Sequence, residues 1–273
     1  MANGCDNTMF GCSIGMLGEE NVGGRWRDIA SIGVGCIEIG IDTIDMPDSD
    51  IADLRKSVED AGLRVWSVHS MFGAQYSISS PDSDIRANGV KWIAGAARVA
   101  HSLGAGIVVV HSGDSQPDDQ SDEEAEALAV ASMKEVLTVC DGLPVRFAIE
   151  NLPSGYINST AESLMRVVSQ LPEDRVGVCF DSGHAHITGE DEAIVEQASA
   201  RVITTHLHDN DGNGDQHYLP GIGSVDWEAA CRALSASTWD GPLMFEVGGP
   251  GSHEEALSKL PVAAMVLWGH FEG

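Results

Sequence analysis

Eight short runs rich in Val and Ile alternate along this chain with longer amphipathic segments, the pattern of repeated βα units. The runs fall at Met9–Gly15, Cys36–Asp42, Val65–Ser70, Ile107–Gly113, Arg146–Leu152, Val176–Ser182, Val202–Asp209 and Leu243–Gly248. Between and after them, helices are expected at Arg25–Ile32, Asp48–Ala61, Ser83–Leu103, Asp122–Cys140, Thr160–Leu171, Asp191–Ala200, Asp226–Ser235 and Ser252–Trp268. Capping signals open several of these: Ser80–Asp84, Ser121 before Asp122, Ser159 and Thr160 before Glu162, and Ser252 before Glu255. Ala61-Gly62 and Leu103-Gly104 read as helix ends. Eight such repeats with short connections predict an α/β fold, a single closed (β/α)8 TIM barrel, with a doubly wound sheet as the alternative. No linker or composition shift divides residues 1–273, so one domain is expected.

Composition narrows the function classes. At 43% hydrophobic residues the chain can bury a large core. It contains no apolar run of about 18 residues, and MANGCDNTMF lacks the features of a signal peptide, so a cytoplasmic protein with no membrane partner is expected. The six cysteines form no CxxC pair and read as small buried hydrophobes in a reducing compartment. The formal charge of −27, with only four Lys, gives a surface that repels nucleic acid and anionic membrane. The acidic run Gly113–Glu126 reads as an exposed loop leading into a helix, its carboxylates near the positive helix end.

The chemistry lies at the strand ends. In a barrel, catalytic side chains sit at the C-terminal ends of strands. Six of the eight runs finish in an imidazole or a carboxylate: His69, His111, Glu150, Asp181 with His184 and His186, His206 with His208, and Glu246. The seventh continues into Asp209, Asp211, Asp215 and His217. Strand alternation puts Ala148 with Glu150, Met244 with Glu246, and Thr204 with His206 and His208, each set on one face, so all can converge on the axis. Such a concentration of ionisable groups is very costly without a neutralising cation. Carboxylate and imidazole donors without thiolates suit one divalent cation, Mn, Mg, Co, Fe or Zn.

These residues, in the segments IVVVHSG, FAIENLP, VGVCFDSGHAH, HLHDND, DQHYLPGIGSVDW and LMFEVGG, resemble the xylose isomerase-like TIM barrels. That superfamily contains sugar isomerases and epimerases and also the endonuclease IV type of apurinic-site nuclease. The resemblance spans nearly the whole chain. It implies that Glu150, Asp181, His208 and Glu246 bind a single metal, with His208 taken as the second His of the HLH string, and that His184 contacts substrate. The nuclease branch implies three zinc ions instead, held by His69, His111 and Glu150, by Asp181, His208 and Glu246, and by His184, Asp215 and His217.

Charge favours the first branch, because phosphate binding ordinarily uses Arg, Lys or a helix N-terminus. No Arg or Lys stands between Val202 and Cys231, and the DTIDMPDSD loop is acidic. The expected substrate is therefore an uncharged keto-sugar or polyol. As a departure, the arginine that ketose 3-epimerases place after the metal histidine is missing. The implied reaction is isomerisation, epimerisation or a related dehydration through a metal-stabilised enediolate, with Glu150 and Glu246 as the proton-transferring pair. His69, His111, His206 and His217 remain for substrate or further metal. A tri-zinc nuclease acting on abasic DNA and a non-catalytic barrel subunit are the alternatives, and homo-oligomerisation is left open.

Overall fold

The structure is a computed structural model that describes residues 10–15, 25–114, 119–248 and 253–271. Cys5, Met9, Ser115–Asp118, Gly249 and the Ser252 cap lie outside them. The strands are β1 (Phe10–Ser13), β2 (Cys36–Gly40), β3 (Arg64–His69), β4 (Ile107–Val110), β5 (Arg146–Glu150), β6 (Val176–Asp181), β7 (Val202–His206) and β8 (Leu243–Phe245). The helices are α1 (Trp26–Ser31), α2 (Asp48–Asp60), α3 (Ser83–Leu103), α4 (Asp122–Val139), α5 (Ala161–Val168), α6 (Ser182–Thr188), α7 (Ala193–Gln197), α8 (Trp227–Ala236) and α9 (His253–Phe271).

The strands are ordered β7-β6-β5-β4-β3-β2-β1-β8, and the registered pairs are parallel. A doubly wound sheet would leave two open edges. Here the seam is closed: Leu207 bridges Phe245, its N–H donating to Met244 O at 2.8 Å, while Glu246 N–H donates to Leu207 O at 3.2 Å. The fold is a (β/α)8 barrel.

Local chemistry sets the helix limits. Asp82 caps α3 by accepting from the N–H groups of Asp84 and Ile85, and Gly104 ends it at φ 79°. Ser121 caps α4, accepting from Glu124 N–H, and Thr160 rather than Ser159 caps α5. Each such cap contributes about 1 kcal/mol. Between β6 and β7 the expected single helix Asp191–Ala200 is replaced by two, α6 and the shorter α7. Asp181 closes β6 and at once caps α6, accepting from His184 N–H at 2.7 Å.

Strand alternation separates two apolar layers. Val108, Val110, Phe147, Ile149, Val178 and Phe180 pack outward into the main core shared with the helices. Ile107, Val109, Ala148, Cys179 and Ile203, with Trp66 against them, fill the lumen. Two residues beyond Val109, Ala148 and Cys179 come His111, Glu150 and Asp181, so the same alternation turns these three into the barrel mouth.

Candidate metal and active site

Two register shifts align the remaining strands. Between β2 and β3 the pairing moves from Ile37 with Val65 to Glu38 with Ser67. Between β6 and β7 it moves from Val178 with Val202 to Cys179 with Thr204, which brings His206 opposite Asp181. β-Bulges of this kind re-aim side chains.

Glu150 lies at the centre and is 1% exposed. Its Oε2 is 3.4 Å from His69 Nε2 and 3.3 Å from His111 Nε2. Its Oε1 is 3.4 Å from both His184 Nδ1 and His206 Nδ1. His206 Nδ1 also lies 3.3 Å from Glu246 Oε2 and 4.0 Å from Asp181 Oδ2. One donor atom each from Glu150, Asp181, His206 and Glu246 therefore falls within 4.8 Å of the others. His69, His111 and Glu150 form a second such group; Asp181, His184 and His208 a third; His208, His217 and Glu246 a fourth.

These residues fit a divalent cation. His206 is fully buried, and neither its Nδ1, aimed at three carboxylates, nor its Nε2 makes an aligned hydrogen bond. Leaving such an atom unpaired costs about 1–3 kcal/mol. The electrostatics point the same way. Burial alone would raise the Glu150 carboxyl, but the imidazoles of His206, His111 and His184 hold it well below the usual range. Burial likewise opposes ionisation of Asp181, and His184 and His208 outweigh it. In return, burial lowers the His206 imidazole, while Cys179, Glu246, Glu38 and Glu150 drive it well above its ordinary value. His69, lowered by burial and raised by Glu150 and Glu38, reaches about 9. His111 alone goes down, because burial outweighs its attraction to Glu150. Protons thus do on these rings what a cation would do among them.

A model of the family described as xylose isomerase-like TIM barrel matches residues 26–263. The chain belongs to the xylose isomerase-like TIM barrels. Among sequence relatives of this xylose isomerase-like barrel, the uncharacterized protein y4fM of Sinorhizobium fredii is 29% identical over 74% of the chain and 72% of its own length. A probable endonuclease 4 of Halobacterium salinarum is 29% identical over 66% and 70%. Among solved structures, a D-tagatose 3-epimerase-like protein superposes with a TM-score of 0.81 at 22% identity, covering 96% of this chain and 98% of its own. The IolI protein with a bound zinc atom gives 0.77 at 17% identity, covering 96% and 98%. At these identities the superpositions show the shared fold.

Within the family barrel, the sequence-derived site residues converge, with one rearrangement. His206, not the expected His208, faces Glu150, Asp181 and Glu246 together. His208 lies past the end of β7, where its Nε2 meets Asp181 Oδ1 at 3.0 Å and its ring stacks on His217 at 4.0 Å between centroids. Alternation gave both histidines one face; the end of β7 at His206 separates them. Asp215 Oδ2 lies 3.0 Å from His217 Nε2 and 3.3 Å from His184 Nε2, linking these three. His186 points elsewhere, to Asp191 at 2.9 Å and Ser224 at 2.8 Å.

Two residues at the site, Glu38 and Asn151, are absent from the sequence-derived set. The Asn151 side-chain amide accepts from Asp181 N–H and donates to Asp181 O, both at 2.8 Å, and the Asn151 backbone carbonyl lies 2.9 Å from His184 Nδ1. Its place directly after Glu150 was the available signal. Beside the site opens a cavity of about 230 Å³ lined by Ser13, Ile41, Asp42, Met71, Phe72 and Glu246, among others. Among the described residues, none that lines it is Arg or Lys.

Proposed function

We propose that this barrel is a divalent-metal-dependent isomerase or epimerase of an uncharged keto-sugar or polyol. The observation that carries the reading is the set Glu150, Asp181, His206 and Glu246, donors from four strand ends within 4.8 Å of one another. A divalent cation held by these four supplies Lewis-acid stabilisation of negative charge on substrate oxygens.

The chain's own groups supply the rest. Glu246 lines the cavity and is the carboxylate placed to take the C–H proton beside a carbonyl. Glu150, kept ionised by its imidazoles, is the second carboxylate of the proton-transferring pair. Return of the proton to the opposite face gives epimerisation; return to the neighbouring carbon gives isomerisation. His184 and His217, tied to Asp215, hold the substrate hydroxyls. The described lining of the cavity offers hydroxyl, carboxylate, imidazole and apolar surface but no Arg or Lys to clamp a phosphate, which supports a neutral substrate.

A tri-zinc phosphodiesterase is the second reading, supported by the His69–His111–Glu150 group and by the His184–Asp215–His217 link. A net charge of −27 opposes it. Metal analysis of protein purified without chelator, with assays on ketoses, aldoses, inososes, keto-glycosides and an abasic-site oligonucleotide, separates the two. One cation per chain and turnover of a sugar is expected. Three zinc ions per chain with nicking of the oligonucleotide would replace this reading by the second. Protein that neither contains a cation nor gains thermal stability on adding Mn²⁺ or Zn²⁺ would leave a non-catalytic barrel.

A further inference from the structure

Resting on the metal reading above, we infer that Glu38 is a positioning residue. Its carboxylate holds the Nε2 side of His206 so that Nδ1 faces Glu150, Asp181 and Glu246. Glu38 is on β2, across the barrel from β7, and is 0% exposed. Its Oε1 lies 3.0 Å from His206 Nε2, a close charge contact rather than an aligned hydrogen bond, and its Oε2 accepts a hydrogen bond of 2.7 Å from Ser67 Oγ. The second contact exists because the register shift between β2 and β3 pairs Glu38 with Ser67.

Packing does not call for a carboxylate here. The lumen positions on β4, β5 and β6 are the apolar Ile107, Val109, Ala148 and Cys179. An ionised carboxylate in such surroundings costs several kcal/mol unless it is compensated. The groups that compensate Glu38 are His206, His69 and Ser67. Of these, His206 is the one whose opposite ring nitrogen enters the four-donor set.

An imidazole has two nitrogens, and a carboxylate beside one keeps the proton there and leaves the other's lone pair for a cation. With Glu38 at Nε2, the lone pair falls on Nδ1. Without it, either nitrogen can carry the proton, and the Nε2 side loses its carboxylate. The metal itself need not touch Glu38, because the imidazole lies between them.

The test compares Co²⁺ and Zn²⁺ binding by the full-length protein and its Glu38→Gln, Glu38→Asp and Ser67→Ala variants, with folding checked by circular dichroism. Glu38→Gln is expected to weaken Co²⁺ binding by about 10–100-fold and to change the visible absorption of the bound Co²⁺. Glu38→Asp should recover part of both. In zinc-loaded wild type, ¹⁵N NMR should find the His206 proton on Nε2. Folded Glu38→Gln with wild-type affinity and Co²⁺ spectrum would overturn the inference and leave the metal reading standing. Wild type that binds neither ion would overturn both. Should Glu38→Gln fail to fold, Ser67→Ala decides: a changed Co²⁺ spectrum supports the positioning role, and an unchanged one refutes it.

Discussion

At the scale of the residue, the site depends on close approaches as much as on ligand types. Gly183, in the first turn of α6, leaves room for His208: a Cβ built there would lie 2.0 Å from His208 Cε1. Gly183→Ala is therefore expected to displace the imidazole and to cost about 1–3 kcal/mol, as overpacking generally does. Urea unfolding monitored with and without Zn²⁺ would show both effects. His217 adopts φ 51°, in the left-handed region that few non-glycine residues occupy. That conformation carries the contacts to Asp215 and to Glu246 O at 2.8 Å. Glu246→Gln and Glu150→Gln should each reduce turnover of the sugar by about 10²–10⁴, the usual contribution of a general acid or base. Steady-state kinetics on a substrate identified by the panel would check this, and wild-type turnover in either variant would remove that carboxylate from the mechanism.

At the scale of the element, the loop between β7 and α8 is pinned from beneath. Asp209 is fully buried and accepts four hydrogen bonds: from Asn210 N–H, Gly221 N–H and Val225 N–H, and from Trp227 Nε1 at 3.0 Å. A second tie runs from His186 on α6 to Ser224. Asp215 and His217 ride on the segment between these anchors. Asp209→Ala should leave buried donors unpaired, at about 1–3 kcal/mol, and speed amide exchange in 210–225 more than in β4 or β5. Hydrogen exchange read by mass spectrometry measures that contrast. These anchors also show what the sequence made legible. Val- and Ile-rich runs with strand alternation located the eight strands and put Glu150, Asp181 and Glu246 toward the axis. Alternation alone gave no choice between His206 and His208, because that depends on the register shift at Cys179 and on where β7 stops. The α6 helix was hidden for a similar reason: Asp181 is at once the last residue of a strand, a helix cap and a site carboxylate. Glu38 gave no signal because its partner, His206, lies far away in sequence and meets it only when the barrel closes.

At the scale of the molecule, the site couples stability to protons and cations. His69 and His217 are each raised to about 9 by neighbouring carboxylates that outweigh burial. In the unfolded chain an imidazole titrates near about 6.5. The stabilisation from these two protonated rings is therefore complete below that pH and is lost as pH rises toward about 9. Chelator-treated protein should show a melting temperature that declines over this window. Saturating Zn²⁺ should shrink the decline, since cation binding replaces the protons and stabilises only the folded state. The depressed Asp181 and Glu38 carboxyls give the opposite limb, with stability lost as pH falls into the carboxylate range. Among the described residues no helix is long and apolar enough to cross a membrane. The most direct test of the proposed chemistry is proton NMR of a ketose panel incubated with cation-loaded protein in D₂O. Deuterium should enter the carbon beside the carbonyl of at least one neutral sugar, and Glu246→Gln should abolish the exchange. No incorporation into any sugar by protein shown to hold its cation would contradict the proposed isomerase chemistry.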